Sequence, residues 1–141
     1  MRIFVNGSFD LLHTGHIALL NYAKSLGSYL LVAIDSDSRI SKLKGKDRPV
    51  NPFYIRKCIM ENLKPVDKVL SFDSDDELIK IIKEYSPDIM IKGSDWRGKE
   101  IIGAKYAKNI VFFDRSNDES TTKIITNYIN RVNNESFSNW K

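Results

Sequence analysis

Cysteine, histidine and long apolar runs are scarce in this chain, and each scarcity removes a class of protein. The single cysteine, Cys58, rules out an internal disulfide framework and leaves too few soft ligands for an ordinary structural zinc site. It reads instead as a small buried residue on a helix. The longest apolar run, YLLVAI from Tyr29, is only strand-length, and the N-terminal MRIFVNGSFD turns polar within a few residues. Neither a spanning helix nor a signal peptide can be built from these, so no membrane partner and a cytoplasmic location are expected. GxxxxGK(S/T), GxGxxG and GxSxG are all missing, which withdraws support from a P-loop enzyme, an ordinary dinucleotide binder and an α/β-hydrolase. There is no internal repeat or low-complexity segment.

What is present suits one compact domain. The 141 residues carry a net charge of +4, but the basic residues crowd into RISKLKGKDRPVNPFYIRK, Arg39 to Lys57, where seven of them face the single acid Asp47. Such a segment attracts polyanions. It has no interleaved aromatics to stack bases and no helix-turn-helix or RNA-binding signature, so a small phosphorylated ligand is expected rather than nucleic acid. A solvated face with no ligand is the bland alternative.

Strand and helix patterns alternate. Ile3–Asn6, Tyr29–Ile34, Val66–Phe72, Asp88–Lys92 and Ile110–Phe113 read as strands. His16–Leu26, a short stretch from Ser36 to Gly45, Phe53–Leu63, Asp75–Tyr85, Glu100–Ala107 and Ser120–Val132 read as helices. This order predicts an α/β fold, a Rossmann-like doubly wound parallel five-stranded sheet with helices on both faces, as a single domain over residues 1–132. Residues 133–141 form a polar tail whose Phe137 and Trp140 are available to dock on a partner subunit. In such sheets ligands sit beyond the carboxyl ends of the strands, where the strand order reverses.

The first strand runs into GSFDLLHTGH, which holds the chain's only histidines, His13 and His16. Glycine allows close backbone approach, a helix N-terminus offers unpaired N–H groups, and two imidazoles add donors: together a polyphosphate cradle. Donors already aimed at a phosphorus under attack are worth about 3 to 4 kcal/mol each. Two other readings stand beside this one. A zinc site would have to recruit carboxylates such as Asp10 or Asp35, and a purely structural pair would cap the helix.

GSFDLLHTGH resembles the GxFDxxHxGH signature of the cytidylyltransferase-like nucleotidyltransferases. STTKII, from Ser120, is similar to the ISTT element that opens their last helix, and KGSDW, Lys92 to Trp96, to the segment bordering the base. The resemblance implies nucleotidyl transfer, in which an acceptor phosphate attacks the α-phosphorus of a nucleoside triphosphate and pyrophosphate leaves. His13 and His16 would hold the α-phosphate, with Gly7, Gly15 and the N–H groups of Ser8 and Phe9 around it, and Lys46 would complete the catalytic set. Lys92, Gly93, Asp95 and Trp96 would border the base, while Arg115, Ser120 and Thr121 would hold the triphosphate. Asp35, Lys44 and Arg56 would meet the acceptor; Asp10 would brace the loop. Mg²⁺ would arrive with the triphosphate, held by phosphate oxygens and water, with no protein metal site.

LKGKDRPVNP and KEIIGAK look most like the adenylyltransferase domain of bacterial ADP-heptose synthases, which implies ATP and a heptose 1-phosphate. GSDWRGK also resembles glycerol-3-phosphate cytidylyltransferases, which use CTP. There, however, the arginine ahead of ISTT is followed by threonine, whereas here Arg115 is followed by Ser116. The kinase domain often fused to the heptose enzyme has no counterpart here, so a stand-alone form is expected, with a homodimer as its assembly. A non-catalytic nucleotide-binding protein is the third reading.

Overall fold

The structure is a computed structural model and describes residues 1–114 and 120–134. Its elements are β1 (Arg2–Gly7), α1 (Thr14–Ser25), β2 (Tyr29–Asp35), α2 (Asp37–Lys44), α3 (Phe53–Glu61), β3 (Lys68–Phe72), α4 (Asp75–Tyr85), β4 (Ile89–Gly93), β5 (Asn109–Phe113) and α5 (Thr121–Asn134). All five strands are parallel, in the order β3-β2-β1-β4-β5. The chain winds outward from β1 to β3, then returns to the other side of β1, so the reversal lies between β1 and β4. This is the doubly wound sheet that the sequence pattern predicts.

The core follows from strand alternation. Ile3 and Val5 of β1, with Leu30, Val32 and Ile34 of β2, pack on one face against Leu20 and Ala23 of α1 and Met60 of α3. Phe4, Leu31, Ala33 and Met90 pack on the other against Leu78 and Ile82 of α4. Burying each such large side chain contributes about 1.5–3 kcal/mol, and because both faces are covered the central strands are apolar throughout. Serines open three of the helices, α5 and two others in which Ser36 accepts from the Arg39 N–H and Ser74 from the Glu77 N–H, each satisfying a donor the first turn leaves unpaired. Among the described residues no helix is long and apolar enough to cross a membrane.

Three local expectations need correction. Glu100–Ala107 is not a helix but a turn ending in a single 3-10 turn, Ala104–Tyr106. Gly103 interrupts it with φ of 76°, and a Cβ there would meet Ile82 Cδ1 at 2.5 Å, so the chain must turn where glycine alone fits. Cys58 is exposed rather than buried, because α3 turns Arg56 and Met60 inward and a residue two positions from Arg56 lies on the far side of the helix. Finally, the last helix runs to Asn134 rather than Val132.

Candidate functional site

The loop from β1 to α1 sits at the switch point and is strained. Phe9 and Leu11 both have φ of 48°, a left-handed conformation costing roughly 1–2 kcal/mol for a residue with a Cβ. Asp10 between them is 1% exposed. Its carboxylate accepts from the Val50 and Asn51 N–H groups at 2.7 and 2.9 Å, and its carbonyl accepts from the Thr121 hydroxyl at 2.5 Å. Asp10 thus ties the loop both to the segment ahead of α3 and to the start of α5, the bracing role expected of it.

His13 is the N-cap of α1. Its Nδ1 accepts from the Gly15 N–H at 3.1 Å, and His16 Nδ1 accepts from the His13 N–H at 3.3 Å, a reciprocal capping box made by two imidazoles. A neutral imidazole that accepts at Nδ1 carries its hydrogen at Nε2. The capping role and the phosphate-donor role are therefore compatible, since the cap uses one nitrogen and fixes the proton on the other.

Both rings line a cleft of about 470 Å³ that also takes in Gly7, Ser8, Phe9 and Gly15. On the β4 side stand Lys92, Gly93, Asp95 and Trp96. A Cβ on Gly93 would lie 2.5 Å from Asp95 Oδ1, so glycine is what lets that carboxylate lie against the backbone. Trp96 is 39% exposed, with the Lys92 and Lys99 ammonium groups 5.0 and 5.9 Å from its ring centre, a cation–π arrangement. Lys92 donates to Asn6 Oδ1 at 2.7 Å. Burial lowers its pKa to about 8, with Asp35 and Asp95 opposing the shift.

On the α2 side the cleft is lined by Asp35 and Lys44. Lys44 donates to Ser8 Oγ at 3.0 Å, and Asp35 pairs with Arg39 Nε at 2.9 Å. Ser120 and Thr121 close the third side. The Ser120 hydroxyl caps α5 by accepting from the Lys123 N–H at 3.0 Å.

Two expected residues are not brought to the cleft. Lys46 is exposed in the turn after Gly45 and lies outside the cleft lining; Gly45, at φ of 104°, carries the chain away from α2. Arg56 is 1% exposed. Its guanidinium donates to the carbonyls of Asn51, Ser8 and Asp35 and to Asp37 Oδ1. It is a brace beneath the site rather than a phosphate ligand, because it is buried outside the cleft lining and four of its five N–H donors are already bonded. Arg115, Phe137 and Trp140 lie outside the described residues.

Sequence reasoning missed Asn6, Arg39 and Arg48, all of which line the cleft. A polar residue at the carboxyl end of an otherwise apolar β1 was the signal for Asn6. No such signal separates Arg39 and Arg48 from the other basic residues between Arg39 and Lys57.

A parallel sheet with a strained loop and a capped imidazole pair at its switch point defines a doubly wound α/β domain with its cleft at the carboxyl edge of the sheet. Residues 4–127 match the family model described as Cytidylyltransferase-like, and the chain belongs to that family of nucleotidyltransferases. It is 45% identical over 125 residues to a bifunctional protein HldE from a Nitratiruptor species, covering 87% of this chain and 26% of that protein. A second HldE, from Helicobacter hepaticus, is 43% identical over 123 residues, covering 87% and 25%. The chain thus spans about a quarter of the length of these curated relatives. Among solved structures it is similar to the lipopolysaccharide core biosynthesis protein from Thermoplasma volcanium, with a TM-score of 0.66 and 26% identity, covering 84% of this chain and 98% of that one.

Proposed function

We propose that the chain transfers AMP from ATP to a sugar 1-phosphate, a heptose in particular, and releases pyrophosphate. The observation that carries this reading is the imidazole pair at the switch point, tied at Nδ1 and therefore protonated at Nε2, in a cleft walled by Lys44, Ser120 and Thr121. An oxygen of the ionised acceptor phosphate attacks the α-phosphorus, the bond to the bridging oxygen breaks, and pyrophosphate departs with the electron pair. No proton need move. His13 and His16 donate to the α-phosphate oxygens as charge builds, the N–H groups of Ser8 and Phe9 assist, and Ser120 and Thr121 receive the leaving phosphates at the α5 N-terminus. Trp96 offers a π face to the base, Asp35 stands where the acceptor would enter, and Lys44 is placed to neutralise phosphate of the triphosphate or the acceptor.

Mg²⁺ belongs to the same proposal. The ion would be carried by the triphosphate oxygens and water. When bound, it would neutralise part of the triphosphate charge.

The choice of a heptose over glycerol 3-phosphate rests on the resemblance through LKGKDRPVNP and KEIIGAK and on the HldE relatives, since an indole stacks adenine and cytosine alike. The test is kcat/KM for ATP and CTP, each with heptose 1-phosphate and with glycerol 3-phosphate, read by pyrophosphate release. ATP with heptose 1-phosphate is expected to lead. Preference for CTP with glycerol 3-phosphate selects the cytidylyl reading, and tight nucleotide binding with no pyrophosphate from any pair selects a binding protein.

A further inference from the structure

We infer that Arg48 is a phosphate-binding residue of the cleft, meeting phosphoryl oxygens on the wall formed by α2 and the loop that follows it. The inference rests on the cleft being a phosphate site, as proposed above, and deepens that reading by naming a ligand that the sequence did not single out.

The guanidinium and ammonium groups around this wall differ in what they have left to give. Arg39 is neutralised by two carboxylates, Asp35 at 2.9 Å and Asp75 at 2.7 Å. Arg56 is spent on three carbonyls and Asp37. Arg48 lines the cleft with only 17% of its side chain exposed, and its Nε is shut off from water with no hydrogen-bond partner among the described residues. The nearest carboxylate, Asp10, is 3.8 Å from that nitrogen, beyond hydrogen-bond range, and its two oxygens already accept the Val50 and Asn51 N–H groups.

The backbone of Arg48 is nevertheless pinned: its N–H donates to the Gly45 carbonyl at 3.1 Å, and its carbonyl accepts from the Ser41 hydroxyl at 2.8 Å. A guanidinium held at a cleft wall with one buried donor unmatched and only a long ion pair to Asp10 is costly in the free protein. The chemistry that removes that cost is a planar array of anionic oxygens, to which the guanidinium fork is matched. Two sources supply it, the nucleoside triphosphate and the phosphate monoester of the acceptor.

Arg48→Met and Arg48→Lys in the full chain separate these. Inorganic tripolyphosphate titrated by calorimetry probes the triphosphate, and the KM for the acceptor phosphate probes the monoester. Arg48→Met should lower the Tm of the unligated chain only modestly, since its ion pair with Asp10 is long, at 3.8 Å, and two main-chain N–H groups still hold that carboxylate. One of the two affinities should fall about tenfold, equivalent to 1.4 kcal/mol, the scale of one charge-assisted hydrogen bond. Loss of tripolyphosphate binding assigns Arg48 to the triphosphate; a raised acceptor KM with tripolyphosphate unchanged assigns it to the acceptor. Arg48→Lys, which keeps the charge and loses the fork, should recover only part of either. Wild-type affinities in Arg48→Met overturn the inference, as does a lowered Tm in both variants with anion binding retained. A wild-type chain that binds tripolyphosphate but releases no pyrophosphate sinks the transferase reading instead and leaves the Arg48 comparison intact.

Discussion

The imidazoles of His13 and His16 lie face to face, with 3.8 Å between ring centres and 27° between planes, and each accepts a main-chain N–H at Nδ1. One residue pair therefore both begins α1 and lines the cleft, and the two functions can be separated by substitution. His13→Asn keeps an N-cap acceptor, so its Tm should match wild type. His13→Ala should lose about 1 kcal/mol of stability. Both should lose at least about a hundredfold in kcat with little change in KM, because the lost contact strengthens as charge develops. Thermal melts beside steady-state kinetics decide it; near-normal turnover in His13→Asn would reduce the histidine to a cap.

Lys44 and Lys46 are two residues apart but face different surroundings. Lys44 reaches Ser8 within the cleft, whereas Lys46 is exposed outside the lining. Lys44→Ala should weaken nucleoside triphosphate binding several-fold, and the deficit should shrink as salt is raised, since an exposed charge is screened over about 10 Å at ordinary ionic strength. Lys46→Ala should be nearly silent in the same calorimetric titration. Equal losses in the two variants would return Lys46 to the site.

Arg56 should prove a stability residue. Removing its guanidinium unpairs three carbonyls and Asp37 in a site 1% open to solvent, so Arg56→Ala should cost about 3 kcal/mol in urea unfolding. Arg56→Lys should rescue little, because a point charge cannot span the carbonyls of Ser8, Asp35 and Asn51 as a fork does. A variant that unfolds like wild type but binds phosphate poorly would contradict this.

Lys92 gives the cleft a pH dependence. Burial holds its pKa at about 8, against 10.5 for an unperturbed lysine. The unfolded chain therefore binds the extra proton between those values, and stability of the free protein should rise as pH climbs from about 8 to 10.5. A triphosphate bound alongside favours the charged form and draws the proton back. Calorimetry at about pH 8.5 in buffers of different ionisation heat should then register proton uptake on binding that Lys92→Met abolishes. Affinity should decline as pH passes about 8; a flat profile would mean that the ammonium does not face the phosphates.

Much of this was legible in the chain. The apolar runs at Tyr29–Ile34 and Asp88–Lys92 need cover on both faces, which with the alternating helices leaves few arrangements other than a parallel doubly wound sheet. GSFDLLHTGH and STTKII located the loop and the last helix through their resemblance to the nucleotidyltransferase signatures, while their glycine, histidine and hydroxyl residues suited a phosphate site and a helix cap alike. Less was legible in the basic segment between Arg39 and Lys57, where seven cations look alike on paper.

The sheet, the loop at its carboxyl edge and the imidazole pair all follow from local periodicity and short-range chemistry, so the order of residues was enough to specify them. Which cation serves what depended on the folded chain. Arg56 is drawn under the site because α3 turns that face toward the carbonyls of Ser8 and Asp35. Arg48 comes to the cleft because Asp10, from the distant β1–α1 loop, fastens the neighbouring amides. Hydrogen bonds across such separations depend on where the fold brings remote segments together, and no spacing along the chain records that.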